Sequence, residues 1–190
     1  MTFSLRHVGG LWGLLLWLFL AAGVLAADFG FHIIRAELAS EGDDYVLNAD
    51  IDYQFSEPAI EALRNGVPLT LVLGLKIKRV RTYWWDETVL NERRQFRIRY
   101  HPLAKLFQLV HENGGVPQNF ASLSALLDAM GTIRRLSVLP VDRLRHGERY
   151  RASLSVWLDI ESLPLPLRPV AYVTPAWYLD SPRYQWLVAD

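Results

Sequence analysis

In the stretch DYVLNADIDYQF, Tyr45, Leu47, Ala49, Ile51, Tyr53 and Phe55 alternate with Val46, Asn48, Asp50, Asp52 and Gln54. A period of two sends successive side chains to opposite faces, so this stretch predicts a strand buried on one face only. EGDD just before it is a turn signal. DFGFHIIRAELA, Asp28 to Ala39, has extended character, so the two segments predict a hairpin. ERYRASLSVWLDI repeats the alternation, with Tyr150, Ala152, Leu154, Val156, Leu158 and Ile160 as its inward set. Its outward face holds Arg149, Arg151, Ser153, Ser155 and Trp157. A Trp on a polar face needs a cover, and the aromatic tail is the expected one.

Two helices are expected between the strands. In SEPAIEALRNG, Ser56 can cap, Pro58 fits a first turn, Ile60 and Leu63 share a face and Gly66 can stop the helix. In NFASLSALLDAMG, Phe120, Leu123, Leu127 and Met130 form a stripe with Leu126 beside it, Asn119 as the cap and Gly131 as the end. LTLVLGLKIKRV, RRQFRIRYH, KLFQLVH, VPQNF and RRLSVLPV read as extended segments, with ENGG and DRLRHG as turns. The tail from Pro164 is rich in Pro and aromatics. Its prolines argue against a regular central strand or helix, and Trp177, Tyr178 and Trp186 are expected to pin it to the surface. The chain thus predicts a mainly β fold, an antiparallel β-sandwich or open barrel. It would have about seven or eight strands, with short helices near residues 57–65 and 120–130. Strand order is not readable.

VRTYWWDETVL, Val80 to Leu90, joins two of these strands. A reversal at Asp86-Glu87 pairs Leu75 with Ile98, Ile77 with Phe96, Leu73 with Tyr100 and Tyr83 with Leu90, all apolar and all on one face. Trp85 joins that face as core. The opposite face collects Lys76, Lys78, Arg93, Arg97 and Trp84, with Gln95. Lys76 then lies opposite Arg97, a like-charge pair that asks for an acid or a ligand nearby. One reading is a solvated face neutralised by Asp50, Asp52 or Glu92. The other is a binding face for an anionic partner, with Trp84 available for a cation–π stack.

Composition sets where such a face would work. The chain has 190 residues, enough for one domain with a sizeable core, and 51% of it is hydrophobic. Lys+Arg and Asp+Glu cancel at 20 each, so no global charge calls for nucleic acid. MTFSLRHVGG is followed by an uninterrupted apolar run, Leu11 to Leu25, with Val24 and Ala26 placed as a signal peptidase reads them. This pattern predicts export with cleavage near Ala26, or an uncleaved inner-membrane anchor with membrane contact through residues 11–25. Residues 27–190 would then form one β-rich domain, periplasmic after cleavage. Export also disfavours a nucleic-acid partner. The absence of cysteine excludes a disulfide framework, a thiol nucleophile and a thiolate metal site.

Candidate chemistry is thin. His32, His101, His111 and His146 show no metal-ligand spacing, and no metal or cofactor is expected. GxSxG, SxxK, Walker and GxGxxG motifs are absent. Asp50 and Asp52 lie about 7 Å apart on one face of their strand. They read as a solvated polar face, with a catalytic dyad or a calcium site as the sharper alternative.

Taken in order, YVLNADIDYQF, NGVPLTLVLGLKI, YWWDE, RRQFRIRYHPLAKLFQL and NFASLSALLDAM resemble the DUF4390 family over nearly all of the chain after the apolar start. The resemblance carries over no catalytic residue. It implies an exported or membrane-associated proteobacterial protein of a family often encoded beside a nitrogen-regulation-type sensor kinase, and through that an envelope signalling role. The expectation is a non-enzymatic interaction module that binds an envelope protein or an anionic envelope component. A membrane-anchored accessory or sensor subunit, and then an envelope hydrolase, are the alternatives.

Overall fold

The computed structural model describes residues 29–81, 84–112 and 114–188. The expected signal segment, residues 1–26, lies outside them. Among the described residues, nine strands form two antiparallel sheets. The smaller sheet has the order β1 (Gly30–Glu41), β2 (Asp44–Gln54), β7 (Thr132–Pro140). The larger runs β6 (Gln118–Phe120), β5 (Leu106–His111), β4 (Glu87–His101), β3 (Leu69–Arg79), β8 (Tyr150–Leu158), β9 (Tyr184–Leu187). Of the expected sandwich or open barrel, the arrangement is sandwich-like, and it is not a closed barrel.

The alternation read from the sequence is the alternation that packs. Leu47, Ala49, Ile51 and Tyr53 of β2 are buried, and so are Leu69, Leu71, Leu73, Leu75 and Ile77 of β3. Tyr150, Ala152, Leu154, Val156 and Leu158 of β8 join the same core. Ile33/Arg35 marks a bulge in the β1–β2 hairpin. A second bulge lets Arg134 and Arg135 of β7 face Asn48 alone. Arg135 adopts φ 51° there and donates its N–H to Asn48 Oδ1 at 2.9 Å. Such a bulge blunts the outer edge of β7.

The helices lie close to the expected positions but start differently. In α1 (Glu57–Arg64) the Ser56 side chain does not cap the helix; its Oγ–H donates instead to the Ala176 carbonyl at 2.6 Å, tying the helix to the tail. In α2 (Leu123–Gly131) the cap is Ser122, whose Oγ accepts from the Ala125 N–H at 3.2 Å, and Asn119 and Phe120 belong to β6. Leu126 and Met130 are its buried face. The tail departs most from expectation. It contains both α3 (Arg168–Val173) and the edge strand β9. Pro169 sits in the first turn of α3, where its missing N–H costs nothing. Trp177 is buried as expected, while Tyr178 is exposed.

The hairpin register differs from the expected one by six residues. Leu69 pairs with Ile98, Leu71 with Phe96, Leu75 with Glu92 and Ile77 with Leu90, and the last pair is Arg79 with Glu87. Six is even, so each side chain keeps its predicted face while changing its partner. The ladder closes at the Arg79–Glu87 pair, and the described residues between the two strands, 80–81 and 84–86, are not strand.

Gly131 ends α2 against β2. A Cβ there would stand 2.3 Å from the Ile51 carbonyl oxygen. Gly131→Ala is therefore expected to cost about 2 kcal/mol through overpacking and to lower Tm by about 4–8 °C, measured by thermal denaturation. An unchanged Tm would show that α2 lifts freely from β2.

Candidate binding face

The inner face of β3 is apolar, so parity sends Thr70, Val72, Gly74, Lys76 and Lys78 outward. The neighbours add Asn91, Arg93, Gln95 and Arg97 from β4 and Arg151, Ser153, Ser155 and Trp157 from β8. Gly74 is the gap at the centre. It pairs with Arg93 on one side and Ser155 on the other, and the Trp157 ring lies across it. A Cβ on Gly74 would sit 2.8 Å from that ring. Arg93 places its guanidinium 5.8 Å from the Trp157 ring centroid, a cation–π contact. Arg93 and the glycine thus take the covering role expected of the aromatic tail, which reaches Trp157 through a backbone bridge at Asp180.

Three of the predicted site residues, Lys76, Lys78 and Arg93, lie near one another. Arg151 joins them directly opposite Lys78. Among the described residues, none of these four has a carboxylate within salt-bridge distance. The expected Lys76–Arg97 pair does not form. Lys76 faces Asn91 and Ser153, whereas Arg97 faces Thr70, six residues and about 20 Å further along β3. Arg97 is also paired, with Glu112 Oε1 at 2.9 Å. The like-charge pair of this face is Lys78 with Arg151.

The acids expected as neutralisers are engaged elsewhere. Asp50 lies on the smaller sheet, 2.5 Å from Arg134 and 3.9 Å from Arg35. Asp52 accepts from Gln54 Nε2 at 2.8 Å. Glu92 points to the inner side and pairs with Arg94 at 2.7 Å.

Trp84 and Trp85 stand beyond Lys78 in the connecting segment, 77% and 92% exposed. Trp85 is therefore not core: with the ladder closed at Glu87, no pleat assigns the two indoles to opposite faces. Tyr83 lies outside the described residues. The base of the segment is clamped, because Glu87 accepts from both Arg79 and Arg81, and Arg79 lies 3.6 Å from Glu148. The hydrogen bond from Arg79 holds the Glu87 carboxyl below the usual glutamate range, and the same bond raises Arg79.

Sequence reasoning missed Arg151 as a partner of Lys78, since strand order alone makes β8 a neighbour of β3. It also missed a cleft of about 310 Å³ between β7 and the β4–β5 pair, lined by Arg94, His111, Arg134, Leu109, Met130 and Leu136. Both arginines brace the fold there. Arg94 reaches the Ser137 carbonyl at 2.6 Å, and Arg134 reaches the Ala49 carbonyl at 3.0 Å and Asp50. Among the described residues, no group of three or more His, Asp or Glu gathers as a metal site would need.

A family model described as a domain of unknown function, DUF4390, matches residues 29–187. The chain belongs to the DUF4390 family. No curated protein and no solved structure shows a significant match to it. The matched span of this DUF4390 chain takes in both sheets, the basic face and the tail.

The clamp gives a pH signature. Glu87 is more acidic in the folded chain than in the unfolded one, so its contribution is present above the ordinary glutamate range and is lost as pH falls through the lowered folded value. Glu87→Gln is expected to lower Tm at neutral pH, with the gap to the unmodified chain narrowing under acid. A gap independent of pH would show that the carboxylate charge is not what closes the segment.

Proposed function

We propose that this domain is a non-enzymatic interaction module of the bacterial envelope that binds an anionic partner through the outer face of its larger sheet. The observation that carries the reading is the Lys78–Arg151 pair. Two cations placed directly opposite each other on neighbouring strands repel, and Lys76 and Arg93 add to the same field with no carboxylate in reach among the described residues. An anion bound there relieves that repulsion, so the face is tuned for a ligand charge rather than for the free state. Trp84 and Trp85 border the cluster with exposed aromatic surface, the residue type that supplies binding energy at interfaces. The partner class is an acidic protein segment or an anionic cell-wall polymer. Export rests on the apolar run from Leu11 to Leu25 and the small residues at Val24 and Ala26, and a signalling role rests on the setting the family implies.

Two measurements test this. Trp84→Ala combined with Lys78→Ala is expected to reduce capture of the partner in an envelope pull-down several-fold. Rising salt should weaken capture by the unmodified chain. Tm should stay within about 2 °C, since both side chains are outside the core. Undiminished capture at unchanged Tm would remove this face from the function. N-terminal sequencing of the envelope-fraction protein is expected to begin just after Ala26; Met1 or Thr2 retained would replace secretion with anchoring.

A further inference from the structure

The end of the sandwich opposite Trp84 is capped by the segment between β8 and β9. Leu163, Ala171, Trp177 and Leu179 fasten it to the core. Leu165, Val170, Tyr172, Val173 and Tyr178 point away from the core and are 45–79% exposed. Residues 162–179 carry one charged side chain, Arg168, in a chain that is 21% charged, and the exposed Glu161 just before them accepts from the Tyr172 O–H at the edge of the patch. Arg168 turns inward, donating from Nε to the Leu163 carbonyl at 2.7 Å. Tyr178 donates its O–H to the Tyr172 carbonyl at 2.5 Å, so part of the polar content of the patch is satisfied within it. Pro164, Pro166, Pro169 and Pro175 remove four backbone donors from the same surface.

The chain enters the domain at this end. The Phe31 N–H donates to the Asp180 carbonyl at 3.1 Å, one residue beyond the cap. The apolar run stops at Leu25, so at most about 14 Å of chain separates it from Phe29. A membrane that receives the run therefore lies against the cap, and an apolar surface this poor in charge, with tyrosines in it, fits the interfacial layer of a bilayer.

We propose that in the anchored form, where residues 11–25 stay attached, the cap formed by residues 162–179 seats on the surface of the bilayer that they enter. This goes beyond the binding role of the basic face, whose Lys78–Arg151 pair lies toward the other end of the same sheet. The apolar side chains of the cap enter the headgroup boundary, and the Trp84 end projects into the aqueous compartment.

The chain lacks cysteine, so single cysteines report cleanly. Leu165→Cys, Val173→Cys and Trp85→Cys are each labelled with an environment-sensitive fluorophore in the full chain. The protein is then reconstituted in phosphatidylethanolamine–phosphatidylglycerol vesicles. Quenching by doxyl-labelled lipid is expected to be several-fold stronger at positions 165 and 173 than at 85, with aqueous iodide giving the reverse order. Introducing Val170→Asp and Val173→Asp into the Leu165→Cys chain should reduce its lipid quenching to the level of position 85, at unchanged Tm. Equal quenching at all three positions, or stronger lipid quenching at 85, overturns the proposal. So does shielding from iodide at 165 and 173 without lipid quenching, which would assign the cap to a second copy or another protein.

Discussion

Leu69, Leu71, Leu73, Leu75 and Ile77 form an unbroken row along β3 that is almost excluded from solvent. A strand buries such a row only beneath a second layer, and the smaller sheet supplies it through Leu47, Ala49, Ile51 and Tyr53 of β2. Full burial of each side chain of this size contributes about 1.5–3 kcal/mol, so the row dominates the choice of face. Everything on the outer side follows from it. Lys76 and Lys78 cannot turn inward without shifting β3 by one residue and exposing the whole row. The basic face is thus held in place by the core. Its charges concentrate because β4 and β8, the two neighbours of β3, each turn an arginine outward beside the lysines.

That dependence explains which parts of the structure the sequence discloses. Period-two patterning fixes faces, and the faces of β3, β4 and β8 are legible from it, while on β2 Val46, expected outward, is buried beside a bulge. Partners are a separate matter, because register is set where the chain reverses. Apolar matches such as Leu75 with Ile98 favour a reversal at Asp86-Glu87, yet an even displacement keeps every face while it changes the partners, and Leu73 and Leu75 meet Arg94 and Glu92 instead. The reversal itself is polar: Arg79 and Arg81 converge on Glu87 where the ladder ends. With the ladder closed there, the pairing lies six residues from the expected one, the β3 and β4 strand faces are kept, and Trp85 is surface rather than core. Lys76, Lys78 and Arg93 remained together for the same reason, while Arg97 was carried to the far end of the sheet. Arg151 stayed hidden as a site residue because the neighbour of β3 on its other side is contributed by a strand some 70 residues later, which no local pattern announces.

The tail shows a different limit. Its prolines argued against regular structure, yet Pro169 occupies a first helical turn and β9 begins after the last proline. Proline is restrictive only where a donor is required, and the cap offers positions where none is. The helix starts differ from the expected ones on similar grounds. Ser56 and Asn119 are both competent caps by residue type, but Ser56 has a tertiary acceptor in Ala176 and Asn119 is claimed by the β5–β6 ladder, where its side chain accepts from Gln108. A polar side chain takes the partner that tertiary packing offers first.

The two specialised surfaces then divide along one strand. Val72 lies level with the point where the chain enters, and Lys78 lies six residues further on, about 20 Å away by strand rise. A Debye length in physiological salt is about 8 Å, so charges at the Lys78 end act little on lipid headgroups at the entry end. With the cap on a bilayer, the Lys78–Arg151 pair has no reach to anionic lipid of that leaflet. On the proposed reading its ligand charge comes from the aqueous side, from an acidic segment of another protein or from a polymer of the cell wall. The same rigid ladder that buries the β3 row would then separate attachment from recognition, and set the distance between them by counting residues.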